Sequence, residues 1–199
     1  MMGIRWGHGK GQFPKERDWH IKLMQSAKFY GSWSKCLSRS IGAVIVRDNT
    51  IIATGYNGPP RGVPHCSGYE RRAEIVAILE GSGDFVIDSD MKRKLMDETH
   101  ICPRKLIGKK SGDLLSLCIA GHAEKNALLN AARMGQQVGG ADLFTYSPMP
   151  CFECTKGIIN AGIARVFCLE GVYDKYAWWL FEHSGVKVYH MPQSVIDQK

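Results

Sequence analysis

No stretch of this 199-residue sequence is long and apolar enough to span a bilayer, which excludes a membrane-embedded protein. It also lacks a recognisable secretory leader, an internal repeat, and any low-complexity tract beyond the first residues. Cysteine occurs in odd number, seven, and with no leader this argues against a disulfide framework. The expected compartment is a reducing cytoplasm, where thiols remain available to a metal. Acidic side chains are the scarcer sign, 19 against 26 Lys and Arg, leaving a formal charge of +7. The partner is therefore expected to be anionic, and a nucleotide phosphate or a nucleic acid would both fit. With 44% hydrophobic residues the chain can build one globular domain with a real core, or a smaller domain carrying an insertion.

What is present is concentrated in two short segments. His122, Ala123 and Glu124 are followed by Cys151 and Cys154 behind Pro150. One histidine and two thiolates can hold Zn²⁺ tetrahedrally with a fourth position open to water, and a nearby carboxylate that does not bind the metal can carry protons. A histidine and glutamate two apart, followed by PCxxC, is the pattern of zinc nucleobase deaminases. Geometry favours one site. Cysteines three apart on a first helical turn face the same way, and Pro150 fits just before such a turn. Residues two apart do not share a helix face, so His122 and Glu124 converge only if their helix starts at about His122. The apolar spacing Ala123, Ala127, Leu128, Ala131 and Met134 would give that helix a buried stripe. Two positive helix ends would then meet at the metal and help keep the thiols ionised. A purely structural CxxC would want a second ligand pair and would have no use for Glu124.

A helix is expected from Asp18 to about Gly31. The apolar run Ile41 to Arg47 reads as a central strand, turned at Asp48 and Asn49 into a second strand, Ile51 to Tyr56. After the His122 helix come a strand at Asp142 to Tyr146, the PCxxC helix, a strand at Ala164 to Leu169, a helix from Asp174 to about His183 and a strand at Val186 to Tyr189. Strands alternating with helices imply a layered α/β sandwich whose later strands are parallel. Residues 1–17 read as a flexible basic arm and 18–199 as a single domain. Within it, about 63–118 form an insertion holding a helix near Tyr69 to Leu79, a Gly81 to Gly83 break, a charged helix near Ser89 to Thr99 and a basic loop at Arg104 to Lys110.

The segments IGAVIV (Ile41 to Val46), GYNGPPRG (Gly55 to Gly62), HAEKNALL (His122 to Leu129), PCFEC (Pro150 to Cys154) and VYDK (Val172 to Lys175) together resemble the deoxycytidylate (dCMP) deaminases, zinc enzymes of phage and bacterial type among others. The strand before the cysteines departs from the family pattern, reading TYSPMPC. The resemblance implies a three-layer αβα sandwich around a central mixed five-stranded sheet. It also implies hydrolysis of dCMP to dUMP and ammonia, which supplies dUMP for thymidylate synthesis. Zinc would be held by His122, Cys151 and Cys154, with Glu124 protonating N3 and then the departing amine. Ala123 falls in the substrate site. Asn57 matches a residue that holds the sugar 3′-hydroxyl, or is an ordinary turn residue; Tyr173 matches a tyrosine of the nucleotide pocket, or is core edge. Ser38, Arg39, Ser40 and Lys175 are phosphate contacts or solvated surface.

By the same resemblance, Gly55, Asn57, Gly58 and Arg61 would bind dCTP as activator and dTTP as inhibitor in a homo-oligomer, a hexamer, or form a plain surface loop. A second, structural zinc would draw on Cys36, Cys66, Cys102 and Cys118, with His65 and His100 as substitutes, unless these thiols are simply small buried groups, as Cys168 is expected to be. The alternative activity is a deaminase of tRNA or single-stranded DNA with the same zinc chemistry, which would need a basic and aromatic track at the pocket, for which Trp178, Trp179 and Lys175 are the available residues.

Overall fold

The computed structural model describes residues 17–83, 86–110, 112–172 and 174–198; apart from Arg17, the arm expected over 1–17 lies outside them. In chain order the elements are α1 (Arg17–Gly31), β1 (Gly42–Arg47), β2 (Thr50–Tyr56), α2 (Tyr69–Gly81), α3 (Ser89–Asp97), α4 (Pro103–Leu106), a 3₁₀ turn (Leu115–Leu117), α5 (Ala123–Arg133), β3 (Asp142–Thr145), α6 (Phe152–Asn160), β4 (Arg165–Leu169), α7 (Lys175–Ser184), β5 (Lys187–Met191) and α8 (Gln193–Ile196). No helix among the described residues is long and apolar enough to cross a membrane. The chain divides into two compact units. The first holds the segment ending at Ser34, Ile41–Asn57, and the chain from His122 onward; the second holds Lys35–Ser40 and Gly58–Gly121. The second unit is thus wider than the insertion expected over 63–118.

The first unit is built on one mixed sheet in the order β2-β1-β3-β4-β5. β1 runs antiparallel to β2 and β3, while β3, β4 and β5 are parallel, as the helical crossovers α6 and α7 require. Asp48 and Asn49, with φ of 48° and 60°, make the left-handed two-residue turn that joins β1 to β2. Alternation along the strands divides the core. Ala43, Ile45 and Leu143 face α5, α6 and α7 through Ala127, Ile158 and Phe181. Val44, Val46 and Phe144 face α1 and α8 through Met24 and Ile196. Three layers result. On the α1 side, in-register parallel pairing stacks Phe144 on Phe167 at 4.3 Å and Phe167 on Tyr189 at 4.8 Å.

Helix α5 lies unusually close to β2. A Cβ at Gly55 would fall 2.3 Å from both the Ala123 carbonyl oxygen and the Ala127 nitrogen. Ala123, Ala127 and Ala131 form the buried stripe, as expected, but Met134 does not: α5 ends at Arg133 and Met134 is exposed. Asn126 and Asn130 donate their side-chain amides to the Tyr56 and Thr54 carbonyls, each at 2.8 Å, fixing the helix along the strand. On the other face, α1 meets β1 where a Cβ at Gly42 would strike the Ala27 carbonyl.

The second unit has its own small core of Ile75, Leu79, Leu95 and Leu117. At its centre Arg72, fully buried, donates to the carbonyls of Cys66, Leu95, Thr99 and Ile101. One guanidinium thereby satisfies a carbonyl in the last turn of α3 and three in the neighbouring loops. Asp88 caps α3 by accepting from the Met91 amide at 2.8 Å. The stretch expected as a basic loop at Arg104 to Lys110 is in part helical, because Pro103 starts α4 at a position where its missing N–H costs nothing.

Gly55→Ala should destabilise the protein by at least about 1–3 kcal/mol, because the new methyl meets backbone that only a shift of α5 can clear. Gly81→Ala is the control: its Cβ meets open space at ordinary φ, so it should be neutral or stabilising by up to about 1 kcal/mol. Urea unfolding of the two variants, compared at constant m-value, checks this.

Candidate active site

His122 and Cys151 occupy equivalent positions in their helices. Each is the residue just before the first turn, of α5 and α6 respectively, with extended ψ of 153° and 166°. A side chain placed there ordinarily caps the helix by accepting from a backbone amide one turn on. Neither does so; instead the two point at each other. Nδ1 of His122 lies 3.3 Å from Cys151 Sγ and 3.4 Å from Cys154 Sγ. A tetrahedral ion bound at typical Zn–S and Zn–N lengths would separate such donors by about 3.5 Å, so the residues present fit zinc. Among the described residues, this is the one group of three metal-ligand side chains whose donor atoms lie within 4.8 Å of one another. The two helix starts meet at the site, as the sequence predicts, and their partial positive charge favours thiolates.

The two cysteines respond as a pair. Hydrogen bonding from Cys154, and then from His122, lowers the Cys151 thiol to about 4, while the same sulfur–sulfur contact and burial push Cys154 up. His122 is raised, first by its bond to Cys151. Glu124 is buried and does not belong to the ligand group: Oε2 lies 3.9 Å from Cys154 Sγ, and Oε1 accepts from Thr145 Oγ1 at 3.3 Å. Burial drives its carboxyl above the ordinary range, against the backbone hydrogen bond, His122 and the Thr145 hydrogen bond, which favour the charge. Thr145 and, behind it, Ser147 were not foreseen as site residues. The signal was present in the strand period, since Leu143, Thr145 and Ser147 alternate onto one face.

Ala123 is fully buried beside these groups. Asn57 is buried; its Oδ1 accepts from the Ile41 amide at 2.8 Å and its carbonyl accepts from Ser34 Oγ at 2.7 Å. Tyr173 lies outside the described residues. Lys175 is exposed, with Nζ over the Tyr176 ring at 5.1 Å. Ser38, Arg39 and Ser40 belong to the second unit, where Arg39 and Ser40 are exposed. Of the loop glycines, Gly55 is used for helix packing, and Gly58 exchanges both backbone hydrogen bonds with Gly121 at 3.2 and 2.8 Å. Arg61 is exposed. Cys36, Cys66, Cys102 and Cys118 fall in the second unit, where burial raises the Cys66 thiol, but no three of their sulfurs lie within 4.8 Å of one another. Cys168 is buried in β4, its thiol also raised by burial.

A layered α/β unit that presents one histidine, two cysteines and a separate buried carboxylate at two helix starts defines a metal-assisted hydrolytic enzyme. Residues 17–170 match the family described as the cytidine and deoxycytidylate deaminase zinc-binding region, and the chain belongs to that family. It is similar to the deoxycytidylate deaminase of Enterobacteria phage T4, 29% identical over 88% of this chain and 91% of that one. ComE operon protein 2 of Bacillus subtilis is 31% identical over 91% of this chain and 76% of its own. The deoxycytidylate deaminase of Schizosaccharomyces pombe is 32% identical over 85% of this chain, which spans only 43% of that relative's length. In fold, the chain resembles the dCMP deaminase of cyanophage S-TIM5 solved with dCMP and dUMP, with a TM-score of 0.57 at 22% identity, covering 91% of this chain and all of that one.

In protein stripped of metal, Cys151 should be alkylated by iodoacetamide at pH 6. A thiol lowered to about 4 remains thiolate down to that pH, whereas Cys168, raised and buried, should not react. Reloading with zinc should protect Cys151. Peptide mass spectrometry of the alkylated protein reads both outcomes.

Proposed function

We propose that this protein hydrolyses dCMP to dUMP and ammonia and so supplies dUMP for thymidylate synthesis. The observation that carries the reading is the position of Glu124: buried, next to the ligand group, and not part of it. Zinc bound by His122, Cys151 and Cys154 supplies Lewis acidity that makes water nucleophilic near neutral pH. The chain's own contribution is proton movement. Glu124 takes the proton that water gives up, places it on N3 as oxygen adds to C4, and then moves the proton of the new C4 hydroxyl to the amine, so that the C4–N bond breaks and ammonia leaves. A buried carboxyl with a raised pKa is suited to both halves of that task. Ala123 and Asn57 are proposed to line the pocket, and Lys175 to contact the phosphate. Relatives bearing the name deoxycytidylate deaminase, and the fold neighbour solved with dCMP and dUMP, support the choice of substrate.

One observation favours action on an oligonucleotide. Phe152 and Tyr176 are exposed and meet edge to face at 6.3 Å, Lys156 lies over the Phe152 ring at 4.7 Å, and the exposed Trp179 stacks on His183 at 4.3 Å. Such a patch could stack bases and attract phosphate. The nucleotide reading is preferred because the named relatives support it.

Purified protein should convert dCMP and leave cytosine in oligonucleotides untouched. Glu124→Gln should lower turnover by at least roughly 10²- to 10⁴-fold while keeping zinc. Ammonia release and metal analysis together check this, and turnover confined to oligonucleotides would overturn it.

Regulation and assembly complete the proposal. dCTP as activator and dTTP as inhibitor are assigned to the loop from Gly55 through Asn57 and Gly58 to Arg61, in a homo-oligomer, and Arg61 offers the phosphate fork. A structural zinc is assigned to Cys36, Cys66, Cys102 and Cys118. What supports it is that all four thiols fall in the second unit, where the buried Arg71 and Arg72 offer counter-charge; their sulfurs would have to draw together on binding, since no three of them lie within 4.8 Å of one another. Two zinc ions per chain are expected, falling to one in a Cys36→Ser, Cys66→Ser variant; one per chain in both proteins would exclude the second site.

A further inference from the structure

The carboxyl group of Glu124 is held from behind by a row of oxygens. Thr145 Oγ1 lies 3.3 Å from Glu124 Oε1 and 3.1 Å from Ser147 Oγ, and Ser147 Oγ lies 2.9 Å from the Pro148 carbonyl oxygen. Thr145 is fully buried and Ser147 is 8% exposed. Both side chains reach the same side of the sheet because Ser147 follows Thr145, the last residue of β3, by two, and the pairing continues past the strand through the Tyr146 amide to Gly42; Tyr146 itself is turned to the other face, where its hydroxyl donates to Asp197. A hydroxyl has one hydrogen to give. Thr145 can give its hydrogen to Glu124 or to Ser147, and the carboxylate is the stronger acceptor. Ser147 can give its own to Thr145 or to Pro148, so neither choice strands it.

The consequence for Glu124 is an inequality between its two oxygens. Oε1 is met by a donor and serves as an acceptor; Oε2 points to the ligand group, 3.9 Å from Cys154 Sγ. Resting on the proton-carrying role of Glu124 proposed above, we infer that Thr145, backed by Ser147, is a positioning residue that fixes the carboxyl group through Oε1 and so confines the carried proton to Oε2. The proton that leaves water is taken at Oε2 and passes to N3; Oε2 then takes the proton of the new C4 hydroxyl and gives it to the amine, so that the C4–N bond breaks and the carbonyl forms, and the Thr145 hydrogen never transfers. Without the Thr145 donor nothing distinguishes the two oxygens, and the carboxyl can turn so that the carried proton no longer sits on the oxygen beside the ligand group. The departure of TYSPMPC from the family pattern falls on these residues.

Thr145→Val keeps the shape of the side chain and removes its hydroxyl, while Thr145→Ser keeps the hydroxyl. With dCMP, Thr145→Val should lower kcat roughly tenfold, the loss of about one charged hydrogen bond, with KM within about twofold of wild type. Thr145→Ser should recover most of kcat, and both variants should keep zinc and bind dUMP as wild type does. An unchanged kcat in Thr145→Val, or a Thr145→Ser as impaired as Thr145→Val, would overturn the inference. A second readout does not depend on the substrate assignment. In isotope-edited infrared spectra the Glu124 carboxyl band, identified by its loss in Glu124→Gln, should move in Thr145→Val and stay in Thr145→Ser. A band that does not move in Thr145→Val would overturn the inference even if the enzyme acts on something other than dCMP.

Discussion

Everything at the site depends on how closely α5 lies on β2. The contact at Gly55 brings helix backbone against strand backbone, and the alanine stripe at 123, 127 and 131 leaves nothing in between. Direction is set by Asn126 and Asn130, whose amides bind the carbonyls of Tyr56 and Thr54. Two residues of strand advance about 6.8 Å and four residues of helix about 6 Å, so the paired amides match the strand's own repeat. A helix held in this way can neither slide nor roll. Its first residues, His122 and Glu124, are therefore delivered to a fixed place.

At that place local stability is given up for chemistry. Residues before the first helical turn usually cap it, and losing such a cap costs on the order of 1 kcal/mol. Here His122 and Cys151 leave both caps unmade and use the same positions as metal ligands. Core packing of α5 and α6 through Ala127 and Ile158 supplies what the caps do not. Helix ends placed in this way favour negative charge on sulfur, in the same direction as the hydrogen bonds from Cys154 and His122 that lower the Cys151 thiol.

The ligand group was legible because metal chemistry tolerates few residue types and few spacings, and two short motifs contain all of it. The sheet was legible because β1 is continuously apolar and the later strands alternate with helices. Met134 misled because apolar periodicity continues past the point where α5 stops. The loop at Arg104 to Lys110 misled because its charges outweighed the start signal of Pro103. The short α8 has no amphipathic repeat to announce it. The membership of Lys35–Ser40 in the second unit depends on contacts distant in sequence. Thr145 and Ser147 went unread as site residues because small hydroxyls are common at strand ends, and only the approach of Glu124 distinguishes these two. The role of Arg72 was equally hidden, since an arginine in a charged helix reads as surface.

The same asparagine pair has an effect on what the protein can join. β2 is the last strand of its sheet, and an outermost strand normally offers its backbone to any passing extended chain. Two of the carbonyls such a chain would need, those of Thr54 and Tyr56, are already taken by Asn130 and Asn126. Growth of the sheet by strand addition, whether into an orderly continuous sheet or a fibril, is blocked along that stretch. Assembly of copies there must proceed through side chains, which carry sequence-specific shape, rather than through backbone, which would accept almost any partner.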